Sequence, residues 1–168
     1  YQSSGISILD TWSGAIANYN ISGNYIYTTS GHRGIDCRTT SKPIINDNKI
    51  FMYTTNNADF AGIDLLGLID AEVRCNRIVG PGSNILKSFG IRSNQSSSRL
   101  MQCNHVSLTE TGVAFKGTNT IGTTFRGNTM TDHFYGLDLN SNAFIDRQRF
   151  HGNTWNGTFG SSFGARNL

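Results

Sequence analysis

Near the middle of the chain six residues read Val73-Arg74-Cys75-Asn76-Arg77-Ile78, and this pattern of apolar, any, any, Asn, any, apolar recurs along the sequence. The other copies begin at Ile21, Ile45, Met101, Phe125 and Phe150, and their asparagines are Asn24, Asn48, Asn104, Asn128 and Asn153. Counted with Asn76, successive asparagines are 24, 28, 28, 24 and 25 residues apart. Self-similarity at such a period is typical of solenoids, propellers and repeat arrays.

A second pattern keeps phase with the first, a glycine that opens a short alternating strand. These glycines are Gly5, Gly34, Gly62, Gly90, Gly112 and Gly136. From Gly34 to Asn104 the register is strict, with 14 residues from glycine to asparagine and 14 back to the next glycine. Two markers in one register predict stacked coils, in which equivalent residues lie about 4.8 Å apart along the axis.

The sequence therefore predicts an all-β fold, a right-handed parallel β-helix of about six coils with an asparagine ladder. We expect residues 1–155 to form the coils, as part of a longer solenoid, and residues 156–168 to form a C-terminal cap or linker. Asparagine suits the bends because it tolerates unusual backbone angles and its amide bonds both backbone groups and the next asparagine. Each marker glycine is expected to supply a positive φ or a close approach. No hexapeptide period, leucine consensus or 40-residue blade favours another repeat fold.

The composition agrees with a turn-rich β protein: 168 residues hold 19 glycines, 2 prolines, and only 15% charged residues. The net charge of +3 is mild and the basic residues are scattered, so no nucleic-acid partner is expected. The longest apolar stretches are too short to cross a membrane, so no membrane-spanning segment is expected. Because three cysteines form neither a disulfide framework nor a CxxC pair, and the four histidines lack ligand spacing, no metal is assigned.

These repeats resemble the parallel β-helix repeats of pectate-lyase-like and NosD-like proteins, over about Gly5 to Trp155. The segment from Phe150 onward also resembles the region after the last coil in large secreted surface proteins of Bacteroidota. The first resemblance implies the fold and says little about a substrate. The second implies an extracellular or cell-surface protein.

The middle residue of each glycine strand is expected to point to solvent. These residues are Ser7, Asp36, Asp64, Arg92, Ala114 and Asp138. As catalytic candidates, Asp36 and Asp64 in neighbouring coils would act as nucleophile and acid of a glycosidase, or hold Ca²⁺ for a lyase assisted by Arg92. The alternative is a ladder that only balances charge on an exposed sheet.

The residues on either side of each asparagine are also expected to look outward, which makes a mildly basic stripe. One column holds Lys49, Arg77 and His105, and a neighbouring one holds Arg74, Arg126 and His151. This stripe would bind the acidic groups of a polysaccharide, or it would be only a solvated face. Cys75 and Cys103 are expected in adjacent coils, where stacked free thiols are favoured over a disulfide because in-register neighbours give poor bridging torsions, and Cys37 is expected in the core.

Aromatic residues concentrate in the first two coils. They are Trp12, Tyr19, Tyr25, Tyr27, Phe51 and Tyr53. They would form a sugar-stacking platform, fill a widened coil or cover an interface to a preceding segment.

Together these patterns favour a noncatalytic module of a secreted or cell-surface protein, a rigid spacer with weak glycan binding, whose partners are polysaccharides or other domains of a larger protein. It would need no cofactor. The alternative is a polysaccharide lyase or glycoside hydrolase acting on an acidic glycan, with Ca²⁺ if it is lyase-like. The lack of long insertions between coils, which would build the walls of a substrate groove, favours the first interpretation.

Overall fold

The computed structural model describes residues 4–9, 18–29, 32–38, 42–53, 59–118, 122–145, 147, 151–159 and 164–167, without the side chain of residue 99, and all structural statements refer to these. They form 18 β-strands in three parallel sheets. Trp12 and Phe150, named above, lie outside the described residues.

The chain runs through sheets A, B and C in turn, and equivalent strands of successive coils pair in parallel. Sheet A contains β1 (Ser4–Leu9), β4 (Arg33–Arg38), β7 (Phe60–Leu66), β10 (Ser88–Asn94), β13 (Thr111–Lys116), β16 (Tyr135–Asn140) and β18 (Ala165–Asn167). Sheet B contains β2 (Asn18–Ser22), β5 (Lys42–Asn46), β8 (Ala71–Arg74), β11 (Ser98–Gln102) and β14 (Thr124–Arg126). Sheet C contains β3 (Tyr25–Thr29), β6 (Lys49–Tyr53), β9 (Arg77–Val79), β12 (His105–Ser107), β15 (Thr129–His133) and β17 (Thr154–Phe159).

The predicted parallel β-helix with its asparagine ladder is confirmed, but it has about five turns and not six. The reason is that a full turn runs from one asparagine to the next, so six asparagines delimit only five turns. With parallel strands about 4.8 Å apart, the seven strands of sheet A span about 29 Å along the axis.

The core is a set of ladders, in which the same inward position is apolar in coil after coil. On sheet B the ladder is Ile21, Ile45, Val73, Met101 and Phe125, and on sheet C it is Ile26, Ile50, Ile78, Val106 and Met130. On sheet A, Ile35, Ile63, Ile91 and Val113 stack in the same way and have no exposed surface. The prediction that Cys37 belongs to the core is confirmed. Each coil thus buries its apolar face only against its neighbours, which is how a solenoid is stabilised.

The marker glycines are required by close packing and not by a left-handed backbone. A Cβ on Gly62 would lie 2.6 Å from Cγ2 of Ile78 and 2.8 Å from the carbonyl oxygen of Gly90. None of the six has a positive φ. Of the two predicted reasons for glycine, the close approach is the correct one.

The left-handed backbone occurs instead at the residue before each ladder asparagine. These residues are Gly23, Asp47, Cys75, Cys103, Gly127 and Gly152, with φ between 49° and 68°. With the asparagine, each of the first five forms a two-residue corner that turns the chain from sheet B into sheet C. The expectation that asparagine itself takes the unusual angle is wrong, because the ladder asparagines are not among the residues with positive φ.

The four inner asparagines at these corners each bond the coils on both sides, and they are Asn48, Asn76, Asn104 and Asn128. In Asn76, the backbone N–H and Nδ2 donate to Oδ1 of Asn104 at 3.1 and 3.0 Å, and Nδ2 also donates to the carbonyl of Ile45 at 2.9 Å. Oδ1 of Asn76 accepts the same two bonds from Asn48. This scheme continues from Asn24 to Asn153, so one side chain per coil holds three coils together.

Strands also occur in the segment predicted to be a cap. β17 pairs with β15 and β18 pairs with β16, which extends sheets C and A by one strand each. Residues 160–163 and 168 lie outside the described part of this segment. The capping role of residues 156–168 stays a prediction.

Candidate functional site

The predicted catalytic candidates lie next to one another on sheet A. Asp36 of β4 pairs in register with Asp64 of β7, and Asp64 pairs with Arg92 of β10. Ser7, Ala114 and Asp138 complete the same column. The repeat register alone therefore brings the three candidates together.

Their exposure differs from the prediction. Asp36 and Asp64 are only 4% and 5% exposed, although the neighbouring inward residues Ile35 and Cys37 fill the core. The cause is a layer of arginine side chains that covers the outer face of the sheet. Arg38, two residues beyond Asp36 on the same strand, donates through Nε to both oxygens of Asp36 at 3.0 and 3.1 Å.

Asp64 is held by two arginines. Arg92 makes a two-pronged contact, with Nε donating to Oδ1 at 2.9 Å and Nη2 to Oδ2 at 2.7 Å. Arg33 donates through Nε to the same Oδ2. Arg92 also bonds Asp59, at 2.6 Å, and its guanidinium lies 5.0 Å from the ring centroid of Phe89. The result is a cluster of four charged groups, Asp59, Asp64, Arg33 and Arg92, with the Phe89 ring beside it.

This environment fixes the protonation state of Asp64. Burial alone would raise its pKa, but the hydrogen bonds and charge of Arg92, followed by those of Arg33, outweigh burial and lower the pKa below its usual value. Asp64 is therefore an ionised carboxylate that accepts hydrogen bonds. A general acid needs the opposite shift, towards a carboxyl that keeps its proton near neutral pH.

The same two-pronged pair recurs towards the C-terminal end of sheet A. Nε of Arg166 donates to Oδ1 of Asp138 and Nη2 to Oδ2, both at 2.9 Å, from the strand next in the sheet. The Arg166 guanidinium lies 3.7 Å from the ring centroid of Tyr135. An aspartate capped by an arginine of the following coil is thus a recurring element of this face.

The predicted basic stripe forms two columns. On sheet C, Lys49, Arg77 and His105 are exposed and stand in register. On sheet B, Gln102 lies between Arg74 and Arg126. Arg74 is paired with Glu72 of its own strand, and Nε of Arg126 donates to Gln102 at 3.0 Å. In the sheet C column, by contrast, Lys49 and Arg77 have no acidic partner among the described residues.

The cysteine pair lies where the repeat predicts. Cys75 and Cys103 are exposed free thiols at equivalent corners of adjacent coils. Partial burial and the hydrogen bond with Cys103 raise the pKa of Cys75 to about 11, so this thiol is protonated at neutral pH and is a poor nucleophile.

Sequence reasoning missed a buried histidine at the end of β15. His133 has no exposed surface; Nε2 donates to the carbonyl of Val106 at 3.0 Å, and Nδ1 lies 3.0 Å from the hydroxyl and 3.0 Å from the carbonyl of Thr109. Burial lowers its pKa more than the two carbonyl contacts raise it. The signal that could have found it is the repeat itself, because Thr109 and His133 are 24 residues apart, which is one coil.

The aromatic residues of the first two coils are largely on the surface. Tyr25, Tyr27 and Tyr53 are 56%, 59% and 57% exposed, and their rings lie with Phe51 on the outer face of sheet C. The prediction that these tyrosines fill a widened coil is therefore wrong.

Within the described ranges, no group of three or more His, Cys, Asp or Glu side chains is arranged to hold a metal ion. The same residues contain no helix with the length and apolar character needed to cross a bilayer. A pocket of about 210 Å³ lies at the start of the solenoid and is lined by Ser4, Gly5, Tyr27, Thr28, Thr29 and His32.

Comparison with protein-family models, with curated proteins and with solved structures gave no match to this chain. The resemblance to pectate-lyase-like, NosD-like and Bacteroidota proteins therefore stays an expectation from the repeat pattern.

Proposed function

We propose that the chain is a noncatalytic module of a secreted or cell-surface protein, in which the stacked coils act as a rigid spacer and present a polar face that binds acidic glycans weakly. The observation that carries the proposal is the pairing of the outward carboxylates. Asp36, Asp64 and Asp138 all accept hydrogen bonds from arginines, and each is less than 6% exposed.

A glycosidase needs one carboxyl group that donates a proton and another that reaches the sugar. On this face the arginines that neutralise the carboxylates also cover them, which supports a charge-balancing role for Asp36, Asp64 and Arg92. A lyase site with Ca²⁺ would need carboxylate oxygens free to bind the ion, whereas Asp64 uses both of its oxygens for arginine.

The rigid spacer is supported by the continuity of the ladders. The asparagine bonds run unbroken from Asn24 to Asn153, and each sheet pairs from end to end. The glycan-binding part is supported by Lys49 and Arg77, which are exposed in one column with His105, because cations without acidic partners attract uronate and sulfate groups.

The test is a screen of the wild-type chain against pectate, alginate and sulfated glycans, with both binding and products measured. We expect salt-sensitive binding and no unsaturated or reducing-end products. Charge reversal at Arg74, Arg77 and Arg126 should abolish the binding. Products made by the wild type and lost in a folded Asp64→Asn variant would overturn the noncatalytic assignment. Binding that survives the charge reversal would show that the basic stripe is not the glycan-binding surface.

A further inference from the structure

The outer face of sheet C changes character along the solenoid axis. Its first two strands carry four aromatic rings, which we call the aromatic platform: Tyr25 and Tyr27 of β3, and Phe51 and Tyr53 of β6. The next two strands continue the same rows with Arg77, Val79, His105 and Ser107. Three of the rings are more than half exposed and Phe51 is half-buried, and a contiguous apolar patch of this kind is typical of a binding surface.

The rings of the platform are offset and not fully stacked. The ring centroids of Tyr27 and Phe51 are 5.4 Å apart at an interplanar angle of 22°, and those of Tyr27 and Tyr53 are 5.9 Å apart at 15°. These are offset-stacked separations, which leave part of each ring face open to a ligand. Successive sugar rings of an extended glycan are separated by a comparable distance.

The platform also carries hydrogen-bonding groups. A hydrogen bond with Tyr25 and partial desolvation raise the pKa of Tyr27 to about 12, so its phenol stays neutral and protonated at neutral pH. A tyrosine has an apolar body and a polar tip, and it contacts a sugar through both.

The charged residues on the strands of the platform and on the next two strands of sheet C are all basic. Lys49 stands in register with Tyr25, and Arg77 is next in that column. Strands β3, β6, β9 and β12 contain no acidic residue. A ligand that covers the rings therefore also meets two cations and no carboxylate of these strands.

We infer that this face binds a linear acidic glycan that runs along the solenoid axis, with its sugar rings on the aromatic platform and its carboxylates on Lys49 and Arg77. The inference rests on the proposed function and assigns its glycan binding to one site. The aromatic faces contribute contact area, and the cations select uronate-containing chains over neutral ones.

The experiment is calorimetric titration of the full chain with a short oligogalacturonate and with its methyl ester, which has the same rings without the charge. Tyr27→Ala and Tyr53→Ala should each weaken oligogalacturonate binding about five- to tenfold. Phe144→Ala is the matched control, because Phe144 is as exposed as Tyr27 (59%) but lies outside the platform, and it should leave binding unchanged. Circular dichroism checks that each variant is folded.

The role of Lys49 and Arg77 in selecting acidic chains is tested separately. Lys49→Gln should weaken binding of the acid and leave binding of the ester unchanged, and the acid should bind wild type more tightly than the ester. Equal affinity for the two probes would overturn the charge selection.

Other outcomes separate this site from the broader proposal. Binding that is unchanged in Tyr27→Ala and lost on charge reversal at Arg74 and Arg126 would overturn the platform and keep the glycan-binding module. Absence of binding by either probe would overturn both. A wild-type dimer that becomes monomeric in Tyr27→Ala, measured by sedimentation, would overturn the inference and assign the platform to self-association.

Discussion

Asp64 and Arg92 form a two-pronged ion pair between adjacent coils, with N···O distances of 2.9 and 2.7 Å, and both side chains are at most 11% exposed. A carboxylate buried under arginines is costly to lose, because the cations that remain are then uncompensated. This relationship gives the face a structural role that can be measured separately from any binding.

We expect Asp64→Asn to lower the free energy of unfolding by about 3 kcal/mol at pH 7, since the buried guanidinium groups of Arg33 and Arg92 would then share the single carboxylate of Asp59. Asp70→Asn is the control, because its ion pair with Lys42 is exposed and should contribute less than about 1 kcal/mol. Urea denaturation gives both values.

The pH dependence of this difference has a definite sign. The folded pKa of Asp64 lies below its unfolded value, so its contribution is present above about pH 4 and is lost as the pH falls through the folded pKa. The gap between wild type and Asp64→Asn should therefore shrink at pH 3. A gap that is constant down to that pH would contradict the assignment.

The ladder makes a second prediction. Asn76→Ala removes a side chain that is 1% exposed and that bonds Asn48, Asn104 and Ile45. Leaving these groups unsatisfied should cost about 3 kcal/mol. Asn20→Ala on the exposed face of β2 should change stability by less than about 0.5 kcal/mol. Equal shifts in the melting temperature for the two variants would count against the ladder.

A third prediction concerns the residues with positive φ at the corners. Cys75 has φ 49°, a conformation that β-branched residues strongly avoid and glycine adopts freely. Cys75→Val should therefore be less stable than Cys75→Gly, by about 1 to 2 kcal/mol. At Asn20, in a regular strand, the order should reverse, because valine favours a strand and glycine does not. Thermal denaturation of the four proteins decides the point, and the same order at both positions would be evidence against a left-handed corner.

A fourth prediction concerns the buried side chain of His133. Burial lowers the folded pKa of His133 below its unfolded value of about 6.5. The free energy of unfolding should therefore be highest above that pH, where the histidine is neutral in both states. On acidification it should fall by at most about 1.4 kcal/mol per pH unit. His133→Gln should abolish this slope between pH 6.5 and 5. His105→Gln, on the exposed face, should keep it, and loss of the slope in both variants would show that another group is responsible.

The success and failure of the sequence predictions have a common physical origin. A repeat fixes which residues stand beside one another, so the column of Asp36, Asp64 and Arg92 follows from counting residues. It does not fix what covers a column. Arg33 lies before its glycine and Asp59 lies in the arc before β7, so the shielding of Asp64 depends on side-chain reach and not on period.

The position of the left-handed residue at each corner could not be predicted from the sequence pattern either. Three of the six corner positions are glycine, but the others are Asp47, Cys75 and Cys103. Only the asparagine is the same in all six copies, so the sequence pattern assigns the unusual backbone angle to it and not to the residue before it. The exposed tyrosines were ambiguous for a similar reason, since alternation along β3 and β6 places rings on the outside without revealing whether anything else covers them.

The arrangement of hydrogen bonds along the axis has a mechanical consequence. When the two ends of the rod are pulled apart, every interface between coils bears the same force along its hydrogen bonds, and a terminal strand detaches first because it pairs with a neighbour on one side only. Each detached coil would release 24 to 28 residues, which corresponds to roughly 80 to 95 Å of extended chain. Single-molecule stretching should then show a series of steps of that length, whereas one step for the entire chain would contradict it. Under tension the rod would lengthen coil by coil and limit the force transmitted to whatever it connects.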